Sequence, residues 1–173
     1  MKRTIALLLS LIMVLSLCAC GDSGTAAPVE ENELKLNEPI TVDDYEFTIT
    51  ETEFDPQYFD GFDYKAYKSC GNGNVHFVVK TTFKNVGKEE ISIPSSFLTL
   101  EYGDGYSFSP SDTYYFSFDV LSYVSNAWEL PALSKAKPCI TYFEVPEEVQ
   151  NNTDEPLKLK IMLADTEIVC NLR

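Results

Sequence analysis

Few residues of this 173-residue chain carry side chains suited to catalysis. The single histidine, His76, lies in an alternating, strand-like segment beside Asn74 and Phe77. A serine or cysteine nucleophile needs a neighbouring base, and no nucleophile signature accompanies His76. We therefore expect His76 to be an exposed or half-buried strand residue whose replacement by glutamine costs little stability, and we predict that the chain is not an enzyme.

Acidic residues are frequent, but their spacing does not define a site. Retaining glycosidases need two carboxyl groups about 5 Å apart in a cleft, and no sequence feature places a pair in one. Asp55, Asp60 and Asp63, with the Gly103-Asp104-Gly105 turn, could supply oxygens to calcium, yet their spacing differs from that of an EF-hand. The chain also lacks a glycine-rich phosphate loop. We predict solvated acids at turns, no metal site and no cofactor.

Aromatic residues are concentrated in two stretches that break the strand pattern, residues 54–74 and 109–137. Aromatic side chains with a polar group are enriched at recognition surfaces. One interpretation is an exposed surface that binds a protein or glycan, and the other is that both stretches fold back into the core. The candidate binding surface comprises Tyr58, Phe59, Phe62, Tyr64, Tyr67, Tyr114 and Tyr115.

The N-terminus has the organisation of an export signal. Lys2 and Arg3 precede an apolar segment at residues 5–17, which is shorter than the roughly 20 residues of a membrane-spanning helix. The sequence Leu17-Cys18-Ala19-Cys20-Gly21 resembles the bacterial lipobox, which implies lipidation of Cys20. The alternative is an ordinary secretory signal cleaved after Ala19. We predict a signal peptide at residues 1–19, a lipidated, flexible tether at 20–37 and a folded domain at 38–173.

The charge of the chain restricts its partners. The formal charge is −14, and two cations are lost with the signal peptide. Nucleic acid requires a basic surface, so it is excluded as a partner. An anionic membrane repels such a domain, which should stand away from the bilayer. The expected location is the extracytoplasmic face of the cell membrane, where the lipid anchor contacts the membrane and the domain contacts an unknown extracellular protein or glycan.

Three cysteines follow Cys20, namely Cys70, Cys139 and Cys170. An oxidising exterior permits a disulfide, and an odd number leaves one thiol over. Cys70 lies in a glycine-rich loop, where a free thiol would be exposed. We expect one bridge, between Cys70 and either Cys170 or Cys139.

The domain shows the alternation of apolar and polar residues that is typical of β-strands. Clear examples are residues 45–50, 75–85, 139–145 and 157–163, and turns separate them. Seven or more short strands without convincing amphipathic helices predict an all-β, immunoglobulin-like antiparallel β-sandwich. Either of the two aromatic stretches, 54–74 or 109–137, could contain a short helix, and residues 119–127 are the better candidate.

The order of the motifs is similar to that of a bacterial family of unknown function with a telokin-like, immunoglobulin-like sandwich. The resemblance covers residues 38–173, and its closest phrases are KNVGKEEISI and ITYFEVPEEV. Pro131-Ala132 stands where the family usually has Pro-Gly, so that turn differs. The resemblance implies a surface lipoprotein without known catalytic residues. Together with the aromatic stretches, we expect a non-enzymatic module that binds a protein, peptide or wall glycan through its aromatic-rich loops. The alternatives, without a discrete ligand, are a structural or envelope-stress lipoprotein and an accessory subunit of a transporter or sensor.

Overall fold

The computed structural model describes residues 35–55, 57–59, 67–94, 96–117, 122–124 and 128–173. Only the backbone is described for residues 57–59, 67–69, 116–117 and 122–124. The described residues form 14 strands and one short helix, α1, at Glu147–Asn151. The strands are β1 Ile40–Val42, β2 Tyr45–Asp55, β3 Gln57–Phe59, β4 Tyr67–Ser69, β5 Asn74–Asn85, β6 Ile91–Ile93, β7 Leu98–Tyr102, β8 Tyr106–Phe108, β9 Asp112–Ser117, β10 Ser122–Val124, β11 Trp128–Leu130, β12 Lys137–Pro146, β13 Leu157–Leu163 and β14 Thr166–Asn171.

Two antiparallel sheets make up most of the fold. The larger has six strands in the order β1-β2-β5-β12-β9-β10, and the smaller has four in the order β14-β13-β7-β8. Two short pairs, β6–β11 and β3–β4, complete the described strands. The expected all-β antiparallel sandwich is therefore confirmed.

The alternating sequence pattern determines which side chains fill the core. Because successive strand residues point to opposite faces, Phe77, Val79 and Phe83 of β5 project from one face of the six-stranded sheet. They belong to the same buried cluster as Leu100 of β7 and Leu159 of β13, which lie in the other sheet. This shared cluster joins the two sheets into a single sandwich.

The segment that links β5 to β6 explains part of the family-like motif KNVGKEEISI. Asn85 is fully buried, and its side-chain amide donates hydrogen bonds to the carbonyl oxygens of Glu89 and Leu130, at 2.7 and 2.8 Å. Its side-chain oxygen accepts a hydrogen bond from the backbone N–H of Gly87 at 2.8 Å. A Cβ atom on Gly87 would lie 2.2 Å from Cγ of Asp44, so a larger residue here would displace the Asp44 side chain.

Hairpin turns occur where the sequence predicted them. Gly103 and Gly105 have positive φ angles between β7 and β8, at 56° and 149°. Ala164 and Asp165 have φ angles of 46° and 63° between β13 and β14, the conformation of the turns that connect two antiparallel strands tightly. The suggested helix at residues 119–127 is wrong where the structure describes it, because Ser122–Val124 is strand β10 paired with β9.

Candidate functional site

Part of the predicted aromatic binding surface lies on the β3–β4 hairpin. Tyr58 pairs with Lys68 and Phe59 pairs with Tyr67 in the backbone register. This hairpin contacts β5. Phe62 and Tyr64 lie outside the described residues, as does Cys20. The prediction that these aromatic side chains form a recognition surface stays a prediction.

The other part of that surface, Tyr114 and Tyr115, was predicted wrongly. Their side chains are only 4% and 1% exposed. Strand β9 lies inside the six-stranded sheet between β12 and β10, so neighbouring residues project to opposite, covered faces. Tyr114 contacts the ring of Tyr142 on the outer face, with centroids 6.0 Å apart, and Tyr115 packs on Trp128 in the core, with centroids 4.6 Å apart.

The expected disulfide is also wrong, because Cys70 is a free thiol. Cys139 faces Thr81 in the middle of β5, whereas Cys70 precedes the start of that strand. The start of β5 at Asn74 and the Thr81 position are seven strand residues apart. At about 3.3 Å per residue this is roughly 20 Å, far beyond the Cα separation of a disulfide. Cys170 lies in the other sheet, on β14. Burial raises the pKa of the Cys70 thiol to about 11 and that of Cys139 to about 12.

His76 is more buried than the sequence led us to expect, with 2% of its surface exposed. It projects from the outer face of the six-stranded sheet, where its neighbours across the strands are Asp55 and Glu144. Its ring meets the edge of Tyr142 at a centroid distance of 6.1 Å. Burial lowers the pKa of His76, although the charges of Glu144, Asp55 and Asp112 act in the opposite direction.

A polar cleft of about 320 Å³ lies where the chain crosses from the smaller sheet to the larger one. The linker between β8 and β9 forms much of its wall, and Ser96, which precedes β7, contributes from the other side. The backbone N–H and the hydroxyl of Ser111 both donate to the carbonyl oxygen of Tyr142, at 2.8 and 3.0 Å, which fixes the linker to β12. We name this site the hydroxyl cleft, and its lining is Ser96, Ser109, Pro110, Ser111, Asp112, Thr113 and Tyr115.

The hydroxyl cleft continues into a set of buried polar side chains. The Thr113 hydroxyl lies 3.5 Å from that of Thr141, whose oxygen is 3.9 Å from the sulfur of Cys139. The hydroxyl of Tyr115 is buried and has no hydrogen-bond partner among the described residues. Burial raises its pKa, and the nearby Cys139 adds to this effect. Tyr115 is therefore a neutral phenol that can both donate and accept a hydrogen bond.

Sequence reasoning missed the hydroxyl cleft. Its signal was the polar run Ser109-Pro110-Ser111-Asp112-Thr113 between two strands. Small polar residues are common in ordinary linkers, so the run alone does not indicate a site. The contribution of Ser96, from a distant part of the sequence, becomes visible only when the sheets are assembled.

Two other properties of the described residues bear on the site. No group of three or more His, Cys, Asp or Glu side chains is arranged to hold a metal ion in the part of the chain that the structure describes. Nor, over the same residues, is any helix both long and apolar enough to cross a membrane.

The fold and the cleft define this molecule as a small antiparallel β-sandwich with a polar groove at its sheet crossing. Residues 34–153 match the family described as Domain of unknown function (DUF4352), and the chain belongs to that family. This confirms the resemblance to a bacterial family of unknown function.

Solved structures share the fold. An uncharacterized β-sandwich protein from Clostridium difficile 630 is similar over 85% of this chain and 97% of that chain, with a TM-score of 0.66 and 20% sequence identity. A conserved hypothetical protein from Bacillus anthracis is similar over 85% of this chain and 100% of that chain, with a TM-score of 0.52 and 13% identity. No curated protein sequence matches the chain. At these identities the likeness concerns the fold alone.

Proposed function

We propose that this chain is a non-enzymatic binding protein, anchored by lipid on Cys20 to the extracytoplasmic face of the cell membrane, whose sandwich holds a wall glycan in the hydroxyl cleft. The observation that carries the proposal is the composition of the cleft. Four serine and threonine residues, Ser96, Ser109, Ser111 and Thr113, line it. Hydroxyl groups both donate and accept hydrogen bonds, which suits the hydroxyl and amide groups of a sugar.

The size and apolar surfaces of the cleft support the same class of ligand. A volume of about 320 Å³ lies at the lower end of the range for ligand sites. Pro110 offers apolar surface to the C–H groups of a sugar ring. The buried Tyr115 hydroxyl lacks a partner among the described residues, and an unmade buried hydrogen bond costs free energy that a ligand could recover.

The charges around the cleft favour binding over hydrolysis. Glycoside hydrolysis ordinarily needs two carboxyl groups on either side of the scissile bond. Among the described lining residues, Asp112 is the one carboxylate. Asp112 would accept hydrogen bonds from sugar hydroxyls and orient the ligand without cleaving it.

Trp128 provides a built-in probe for the test. It is the only tryptophan of the chain, and its ring packs on Tyr115 with centroids 4.6 Å apart. Titration of the full chain with soluble peptidoglycan fragments should change the Trp128 fluorescence with a saturable dependence. Chromatography of the mixture should recover the fragments uncleaved.

The key variant is Asp112→Asn, with Asp104→Asn as the matched control in an exposed hairpin turn. A hydrogen bond to a charged group contributes about 1.5–3 kcal/mol, so Asp112→Asn should weaken binding by about tenfold or more, and Asp104→Asn should not. Absence of a saturable signal, confirmed by calorimetry, would remove the glycan proposal. Cleaved fragments would instead contradict its non-enzymatic part.

A further inference from the structure

A second concave site is lined by both end residues of β8, Tyr106 and Phe108. It is a small notch of about 90 Å³ between the β7–β8 hairpin and α1. None of its lining residues belongs to the hydroxyl cleft. We name this site the aromatic notch, and its lining is Tyr102, Tyr106, Phe108, Pro146, Glu148 and Val149.

Cross-strand pairing brings the aromatic rings of the notch together. Tyr102 pairs directly with Tyr106 across the hairpin, and their ring centroids are 6.2 Å apart at an interplanar angle of 41°. Tyr102 is buried, whereas 67% of Tyr106 is exposed. Phe108 lies two residues along the same strand and therefore projects to the same face as Tyr106. An exposed ring beside a buried one leaves a π-face accessible to a ligand.

The surroundings of the notch favour a positive charge. Glu148 contributes a carboxylate to its lining, and Glu147 precedes it in the first turn of α1. The structure already places one cation against these rings, because Cζ of Arg173 lies 6.0 Å from the centroid of Tyr102. A cation over an aromatic face is attracted by the ring quadrupole, and cages of aromatic rings are used to recognise quaternary ammonium groups.

We propose that the aromatic notch binds the trimethylammonium group of a small, net-positive organic cation such as choline. The rings of Tyr106 and Phe108 supply the cation–π contacts, because Arg173 already lies against Tyr102, and Glu148 supplies the counter-charge. The notch, at about 90 Å³, is much smaller than the hydroxyl cleft at about 320 Å³ and suits a small group such as trimethylammonium. The buried hydroxyl of Tyr102 has no hydrogen-bond partner among the described residues. In the proposal it forms a hydrogen bond with the hydroxyl of the ligand. The acidic rim disfavours the phosphate of phosphocholine, so the ligand is the free solute rather than a phosphorylated headgroup.

The test is calorimetric titration of the full chain, kept in a nonionic detergent without choline headgroups, at constant ionic strength. Choline should bind saturably. Its neutral isostere 3,3-dimethylbutan-1-ol, in which carbon replaces nitrogen, should bind about tenfold more weakly. Phosphocholine should also bind more weakly than choline.

Two variants locate the binding in the notch. Tyr106→Ala removes an exposed ring and should weaken choline binding about tenfold, with the thermal unfolding midpoint unchanged. Glu148→Gln should weaken it as well, whereas Glu147→Gln, an exposed neighbour outside the lining, should not. Undetectable choline binding, equal binding of the neutral isostere or of phosphocholine, or unchanged binding by Tyr106→Ala would each overturn the proposal. Glycan binding in the hydroxyl cleft would be unaffected by any of these outcomes.

Discussion

His76 occupies an environment that disfavours its charged form. Only 2% of its surface is exposed, and the ring of Tyr142 lies against it. Burial lowers the pKa of the imidazole, and the carboxylates of Glu144, Asp55 and Asp112 offset this effect in part. The net result is a histidine that stays neutral in the folded protein at pH values where the same residue in the unfolded chain accepts a proton.

This difference predicts a pH-dependent stability. Because the folded pKa lies below the ordinary value of 6.5, the unfolded state binds more protons as the pH falls through about 6.5. The free energy of unfolding should therefore decrease from pH 7.5 towards the folded pKa of His76. Urea unfolding at several pH values should show this decrease in the parent chain and a smaller one in His76→Gln.

An independent readout is available because the chain contains one histidine. Its C2 proton resonance in the NMR spectrum can be assigned without further variants. The pH titration of this resonance should have its midpoint below 6.5 in the folded chain. Two outcomes would contradict a lowered pKa of His76. One is a titration midpoint at or above 6.5, and the other is the same pH dependence of the free energy of unfolding in the parent and in His76→Gln.

At the scale of elements, Asn85 connects the end of β5 to the β6–β11 pair. Its side chain makes three hydrogen bonds, to Glu89, Leu130 and Gly87. Its backbone N–H also donates to the hydroxyl of Ser134 at 3.1 Å. The side-chain contacts satisfy backbone groups of two segments, the β5–β6 linker and β11. The asparagine of the NVG motif is thus a structural residue rather than a ligand-binding one.

Replacing Asn85 by alanine should therefore destabilise the sandwich. Each net hydrogen bond contributes about 0.5–1.5 kcal/mol, and buried partners left unsatisfied add to the loss. We expect the free energy of unfolding to fall by about 2–4 kcal/mol in urea titrations. Asn151→Ala, at an exposed position of α1, is the control and should change it by less than about 0.5 kcal/mol. A loss below that limit at Asn85 would contradict the proposed connection.

At the scale of the whole molecule, the proposed anchor and the described sandwich have separate roles. The chain has 27 acidic and 13 basic residues, and the domain carries much of this negative charge. An anionic membrane surface repels such a domain. The proposed membrane attachment would therefore depend on covalent lipid rather than on the surface of the domain. Two acyl chains suffice for stable attachment, whereas a single chain gives only marginal binding.

The proposed lipid anchor is tested by Cys20→Ser, with Cys18→Ser as the matched control two positions earlier. The parent chain and Cys18→Ser should partition with the membrane fraction and incorporate a labelled fatty-acid analogue. Cys20→Ser should lose the label and move to the soluble fraction. Retention of Cys20→Ser in the membrane pellet, or lack of label in the parent, would contradict lipidation at this position.

The sequence alone determined the class of fold and the orientation of most strand residues. Alternation along residues 45–50, 75–85 and 157–163 assigned Phe47, Phe83 and Leu159 to the core, and each is at most 1% exposed. The period of two is a local property of a strand, so it can be read without knowing the partners. The Gly103-Asp104-Gly105 turn is likewise readable from the sequence, because positive φ angles depend on local chemistry.

Only the tertiary structure decided which outward-facing residues of the larger sheet are buried and what lines the two concave sites. His76 and Tyr114 project from the outer face of the sheet, as the alternation predicts. Both are nevertheless buried, because strand pairing places them beside Val78 and Tyr142. Ser96 meets Ser109–Thr113, and Pro146 meets Tyr106, only once distant strands are paired. Local periodicity specifies the face of a residue, whereas the neighbours on that face depend on contacts between segments far apart in the chain.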